Sequence, residues 1–243
     1  MHSEISLPEA LKLLHDGEIS RWEPLFWGSN GNFIVEVHEG DERRLLAIYK
    51  PRSGERPLWD FPRGTLYKRE YASYLFCTLL GWNFIPPTVI REGPRGIGSL
   101  QLYIEPDLTV DYSTLQKKHV EEIQRICLFD ILVNNADRKA GHIFRGTDGK
   151  IWAIDHGLTF HAEPKLRTVI WDFCNHPAPP ELFRDLQKIL KHLHRREGTP
   201  DWLSPWLEAR EIEALLARLR RILKTGRFPN FDPRARNIPW PFD

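Results

Sequence analysis

Asn134-Asn135-Ala136-Asp137-Arg138-Lys139-Ala140-Gly141-His142, followed across a short hairpin by Ile154-Asp155-His156-Gly157, is the stretch on which the reading of this chain turns. The first run places a carboxylate just past an apolar helix. A cation follows two positions on, and a possible metal ligand five positions on. The second run ends the apolar segment Ile151-Trp152-Ala153-Ile154 with a carboxylate and leads into a glycine turn. Burying a carboxylate at a strand end is costly unless it meets a cation or several donors. Either run alone has the composition of an ordinary polar turn. Together, on the two sides of one hairpin, they are far more specific.

These are the parts that phosphoryl transfer requires: a group to orient the attacking hydroxyl, a cation for the migrating phosphate, and ligands for divalent metal. Asp137 is the candidate base, Lys139 the phosphate-facing cation, and His142 and Asp155 the candidate metal ligands. Asp130, within the preceding helix, is placed to support the loop by hydrogen bonding, while Asn134 and Asn135 are expected to cap that helix. His156 and His161 are read as packing or capping residues. Arg167-Thr168 and Trp171-Asp172 lie where a substrate could dock and could equally be structural.

Working outward, Ser6-Leu7-Pro8-Glu9 forms a capping box with proline just inside a helix start. Segments 21–27, 32–37 and 44–50 are short, β-branched or aromatic, and bounded by Gly or Asp turns, which predicts three antiparallel strands. Lys50 ends the third, which is otherwise apolar (Leu45-Leu46-Ala47-Ile48-Tyr49), and so is expected to reach for a phosphate or a carboxylate. Glu70, on a helix predicted over 66–80, is its plausible partner. Gly28-Ser29-Asn30-Gly31 lies between the first two strands, where small residues could bring backbone N–H groups to phosphates or could equally form an ordinary hairpin turn. Two further strands are predicted at 88–91 and 99–105, the second reaching Tyr103 and Ile104, whose backbone could hydrogen-bond an adenine edge or could equally be an ordinary strand exit.

Beyond Pro106 the pattern turns helical. Helices are expected over 119–133, 181–194 and 208–224, a shorter one from Ser204-Pro205, and an extended proline-rich segment at 229–243. The result is an α+β, bilobal architecture. Residues 1–105 form a strand-rich nucleotide-binding lobe and 106–243 a mostly helical catalytic lobe, with the ligand between them. The 243 residues suffice for one such unit, and no internal repeat is visible.

A net charge of +1 with mixed signs gives no electrostatic case for nucleic acid or an acidic membrane surface. No apolar run reaches the length of a membrane span. The three cysteines, Cys77, Cys127 and Cys174, are far apart, which argues against a disulfide framework or zinc site and for a reducing compartment. With charged and polar residues at the start in place of an apolar signal core, a cytoplasmic location is expected. Oligomeric state is not legible in the sequence.

The paired motifs resemble those of the phosphatidylinositol 3-/4-kinase-like superfamily, within the wider protein-kinase-like fold. Those kinases carry a D-R-H-x-x-N loop and then a D-F-G-type motif; this chain has D-R-K-A-G-H at 137–142 and D-H-G at 155–157. The run N-N-A-D-R-K-A-G-H-I-F, then I-D-H-G-L-T-F, is similar to a family of small bacterial proteins. The resemblance spans about 20–175, with specific motifs at 134–145 and 152–160. It implies ATP as cofactor with Mg²⁺ or Mn²⁺, Asp137 as catalytic base, Asp155 on the metal that bridges the phosphates, and Lys50 on the phosphates and paired to Glu70. Residues 102–105 would be the adenine hinge. The implied activity is transfer of the γ-phosphate to an alcohol on a protein or small molecule.

Two positions depart from the family pattern. His142 stands where the usual Asn binds metal. Imidazole is a poor ligand for Mg²⁺, so His142 either favours Mn²⁺ or contacts phosphate instead. His156 replaces the usual Phe. These departures motivate an alternative, a nucleotide-binding pseudokinase acting as a regulator or scaffold. A protein that binds no nucleotide would require the motif pair to be coincidence.

Overall fold

The antiparallel pair at the centre of the sheet is set by strict alternation. Phe33, Val35 and Val37 are buried on one strand and Leu45, Ala47 and Tyr49 on the next, so one face is apolar and the other is not. A computed structural model of the chain describes residues 5–25, 30–41, 43–194, 202–230 and 234–239, the side chains of 192–194 excepted. Its sheet has five strands: β1 (Glu18–Pro24), β2 (Phe33–Glu39), β3 (Arg43–Pro51), β4 (Thr88–Gly93) and β5 (Gly96–Leu102), in the antiparallel order β1-β2-β3-β5-β4. Helix α1 (Leu7–Asp16) lays Ala10, Leu13 and Leu14 on the apolar face. Its capping box forms as expected, with Glu9 accepting from both the N–H and the hydroxyl of Ser6.

Because side chains alternate along β3, Lys50 points away from the α1 face while Tyr49 and Pro51 are buried beside it. Helix α2 (Leu66–Leu79) follows a loop at 52–65 and buries nearly every side, Arg69 and Glu70 included. The larger core joins α2 to α4 (Val120–Val133), α5 (Pro180–His194) and α6 (Ala209–Thr225). This core draws residues from both sides of position 105. Between α4 and α5 lies the hairpin β6 (Ile143–Arg145) and β7 (Ile151–Ala153). A small third cluster of Phe61, Leu66 and Ala136, with Leu158 against it, joins the loop at 52–65 to the Asp137 loop.

Several boundaries differ from the sequence-based expectation. The strand expected over 99–105 ends at Leu102, and its turn is shorter than expected because the ladder continues to the pair Gly93 and Gly96. A helix not foreseen, α3 (Tyr112–Lys118), is capped by Asp111, whose carboxylate accepts from the Thr114 N–H at 2.8 Å. No helix starts at Ser204; the described residues 202–206 form successive turns. The described residues 234–239 turn back rather than extend, and the Asn237 carbonyl accepts from Thr168 N–H and Trp171 Nε1. Among the described residues, no helix is long and apolar enough to cross a membrane.

Candidate active site

Three elements converge on a cleft of about 250 Å³ lined by Asn30, Asn32, Lys50, Glu55, Glu70, Asp137, Asp155 and Gly157, among others. Lys50, from β3, makes an ion pair with Glu70 of α2 and a second, at 3.2 Å, with Asp155. Burial works against the Lys50 charge, but Glu70 and Asp155 together outweigh it and raise the ammonium's pKa. The other Glu70 oxygen accepts from the His156 N–H at 3.0 Å. One buried carboxylate thus ties the strand-rich lobe to the turn that carries Asp155.

Asp155 itself has φ +60°, a left-handed conformation that Asp tolerates better than most residues. The sequence had suggested Gly157 as the site of the sharp turn. Gly157 has ordinary φ, and a Cβ there would make only ordinary contacts, 3.4 Å from Glu70 Oε1 and 3.6 Å from Leu66 Cβ. The Asp155 side chain is half exposed and faces the cleft. Lys50 holds its carboxyl well below the usual carboxylate range. His142 Nε2 lies 3.4 Å from its second oxygen. Burial pushes the His142 imidazole down to about 4, so the ring is neutral near pH 7.

Asp137 follows α4 through Asn134 and Asn135. Asn134, at φ +55°, ends the helix and binds the 161–165 segment through three hydrogen bonds. Asn135 donates to Asp130 at 2.9 Å and accepts from the Asp137 N–H at 3.0 Å. Both asparagines cap and pin the loop. Lys139 Nζ is 3.8 Å from Asp137 Oδ2. Burial pushes the Asp137 carboxyl up to about 6, against the pull of Lys139, with Asp155 adding a smaller upward push. A carboxylate so tuned can accept a hydroxyl proton near neutral pH.

The loop is held from beneath by Arg138, which the sequence reading had left without a role. Its side chain is fully buried. It forms a bidentate pair with Asp130 at 2.8 and 3.0 Å, donates to the Ile154 carbonyl at 2.8 Å, and contacts His156 Nε2 at 2.7 Å. Asp130 therefore supports the loop as expected. Arg138 is the brace that fixes Asp137 on one side and Asp155 on the other. Since Arg138 can only donate, His156 Nε2 accepts, and the ring proton sits on Nδ1. Burial, then Arg138, holds that imidazole neutral. The main chain of Arg167 and Thr168 braces the loop: Arg167 N–H donates to Asn135 O, its carbonyl accepts from Arg138 N–H, and Thr168 bridges to Arg138. Asp172 accepts from Gln116 at 2.7 Å.

The structure therefore brings Lys50, Glu70, Asp137 and Asp155 to one cleft with Asn30. His142 and Lys139 join it through their carboxylate partners. Gly31 donates its N–H to Gly54 O at 2.9 Å, which sets the β1–β2 turn against the loop at 52–65. Gly28 and Ser29 lie outside the described residues. Tyr103 and Ile104 follow β5 and are not among the residues lining this cleft. The Tyr103 N–H is taken by Leu46 O and the Glu105 carbonyl by Thr147 N–H, while the Ile104 N–H and carbonyl have no backbone partner among the described residues.

As to metal, Asp155 Oδ2 and His142 Nε2 offer a carboxylate and a neutral imidazole 3.4 Å apart, close enough for one cation to share. Among the described residues no group of three or more His, Cys, Asp or Glu forms a ready-made cage. A cation held here would take its other ligands from phosphate oxygens and water; the carboxylate fits Mg²⁺ or Mn²⁺, and the imidazole fits Mg²⁺ poorly.

A strand-rich lobe with a Lys–Glu pair, stacked on a helical lobe with two carboxylate-bearing turns, is a protein-kinase-like fold. The solved Golgi casein kinase with Mn/ADP bound shares it, with a TM-score of 0.54 over 90% of this chain and 74% of that one, at 15% identity. The chain belongs to one family with protein Rv2133c of Mycobacterium tuberculosis, and part of it is similar to phosphatidylinositol 3- and 4-kinases. The family model described as phosphatidylinositol 3- and 4-kinase matches residues 93–204. Protein Rv2133c of Mycobacterium tuberculosis is 38% identical over 94% of both chains. Phosphatidylinositol 4-kinase gamma 4 of Oryza sativa is 28% identical over 63% of this chain, which spans only 34% of that enzyme's length.

Proposed function

We propose that this protein is an ATP-dependent phosphotransferase that moves the γ-phosphate to an alcohol acceptor. The observation that carries the reading is the convergence of Lys50, Glu70, Asp155 and Asp137 on one cleft, with Asp137 and Asp155 in contrasting electrostatic settings. Asp155, ionised beside Lys50, suits a cation-facing role. Asp137, with its carboxyl raised to about 6, suits proton acceptance. The Mn/ADP complex of the casein kinase supports ATP and a divalent metal as cofactors.

In this mechanism Lys50, fixed by Glu70, contacts the nucleotide phosphates. Asn30 and Gly31 close over them from the β1–β2 turn, a role the reading extends to Gly28 and Ser29. The backbone of Tyr103 and Ile104 receives the adenine edge. Asp155 and His142 would hold the metal, Mg²⁺ or Mn²⁺, which when bound neutralises charge on the β- and γ-phosphates. Asp137 orients the acceptor hydroxyl and takes its proton, and Lys139 offsets negative charge on the transferring group.

The test is ATP consumption by purified Asp137→Asn. Turnover is expected to fall by about 10²-fold or more, with nucleotide affinity retained. Wild-type turnover in Asp137→Asn would sink the assignment. His142 in the place of the usual Asn favours a second reading, a nucleotide-binding pseudokinase. Tight ATP binding by the wild type without turnover, across metals and acceptors, would select it.

A further inference from the structure

Beside the cleft lies a second depression of about 200 Å³, built by the loop at 52–65 and lined by Arg52, Arg56 and Arg63 together with Glu55. It shares Glu55, Arg56, Pro57, Leu58 and Leu66 with the cleft that holds Asp137 and Asp155, so the two are contiguous. Nothing in the proposed chemistry uses it.

The loop is a fixed wall. Gly54 O accepts from Gly31 N–H at 2.9 Å, Arg56 N–H donates to Asn30 Oδ1 at 2.9 Å, and Glu55 Oε1 accepts from Tyr67 N–H at 2.9 Å. Asp60 pairs with Lys165 of the other lobe at 3.0 Å, both side chains nearly buried, and Phe61 is buried at the lobe junction. Arg52 lies against Gly64, where φ is +70° and a Cβ would come within 2.5 Å of Arg52 Nε. Glycine there leaves room for the guanidinium.

The charges on this wall are unbalanced. Arg69, Arg138 and Arg145 each engage a carboxylate. Among the described residues, the side chains of Arg52, Arg56 and Arg63 have neither an ion pair nor a hydrogen-bond partner. Glu55 is the one carboxylate among the residues that line the depression with these three arginines. Clustered guanidiniums repel one another until an anion joins them, and their forked donors match phosphate and carboxylate.

We propose that the depression lined by Arg52, Arg56 and Arg63 binds the anionic end of the acceptor, which is a hydroxyl compound bearing a phosphate or carboxylate group. The inference rests on the kinase reading for the word acceptor; the anion site itself stands on the arginines alone. In the bound state the guanidiniums hold the anion, and a hydroxyl extends toward Asp137.

The experiment is calorimetric titration of the full chain with glycerol 3-phosphate and with glycerol, without nucleotide and again with a saturating non-hydrolysable ATP analogue and Mn²⁺. Wild type and the Arg52→Gln/Arg63→Gln variant are compared, and thermal melts confirm that the variant is folded. Glycerol 3-phosphate is expected to bind and glycerol not. Affinity should fall about tenfold or more in the variant, and nucleotide affinity should be unchanged. Vesicles of phosphatidylcholine doped with phosphatidic acid distinguish a membrane-held phosphate from a soluble one. Equal binding by the variant, or loss of glycerol 3-phosphate when nucleotide saturates, overturns the proposal; the latter would assign the arginines to the nucleotide. If the chain binds no nucleotide, the nucleotide titration is flat while the nucleotide-free arm still reports on the anion site; if it binds nucleotide without turnover, the anion site stands and only the word acceptor falls.

Discussion

Replacing Arg138 with Met should destabilise the protein more than any neighbouring substitution in the loop. Both members of the Arg138–Asp130 pair are fully buried, and the guanidinium also serves the Ile154 carbonyl and His156 Nε2. The substitution strands a buried carboxylate that keeps only the 2.9 Å bond from Asn135 Nδ2 among side-chain donors. Breaking a buried pair in this way costs about 3–5 kcal/mol. The orphaned carbonyl and imidazole add to this, though not additively. For a chain of this size each kcal/mol moves the melting temperature by about 2–4 °C, so the expected fall is about 6–20 °C. Thermal unfolding followed by circular dichroism measures it. Since the penalty comes mainly from stranding Asp130, the double variant Asp130→Leu/Arg138→Met should be no less stable than Arg138→Met. A shift of under about 3 °C in Arg138→Met, or simple additivity in the double variant, would refute the brace.

Turnover should show an acid limb with an apparent pKa of about 6, because burial raises Asp137 and only its ionised form accepts a proton. Below that value kcat/KM falls about tenfold per pH unit. Lys139→Ala should move the limb upward, since Lys139 lowers the Asp137 pKa; a pH–rate profile that stays flat to pH 5 would contradict this assignment. Gly54→Ala should displace the loop at 52–65, because the new methyl would lie 2.3 Å from Gly31 O. A loss of about 1–3 kcal/mol in urea unfolding and weaker nucleotide binding are expected, whereas at Gly141 a Cβ meets nothing within 4 Å and Gly141→Ala should stay within about 0.5 kcal/mol.

The parts of the site that follow local periodicity were legible in the sequence. Alternation along β3 set Lys50 apart from its apolar neighbours, and α2 presents Glu70 within reach of it. The Asp137 loop and the Asp155 turn were visible because each lies at the end of a strongly apolar element. What the sequence hid depends on distant contacts. Arg138 reads as one basic residue of a polar run, and only folding shows that it turns inward to Asp130. The Asp60–Lys165 bridge joins segments far apart in the chain. Helix α3 escaped notice because it is short, and Leu115 is its one buried residue. The left-handed turn falls on Asp155 rather than on the glycine that signals a turn in sequence, because the chain there is set by Glu70, His156 and Arg138.

The central claim is that Asp155 serves a metal-bound nucleotide while Asp137 serves the acceptor. Calorimetric titration with a non-hydrolysable ATP analogue, with and without Mn²⁺, tests it most directly across wild type, Asp155→Ala and Asp137→Asn. The account predicts metal-dependent binding in the wild type and in Asp137→Asn, and its loss by about tenfold or more in Asp155→Ala. Undiminished metal-dependent binding by Asp155→Ala would contradict it.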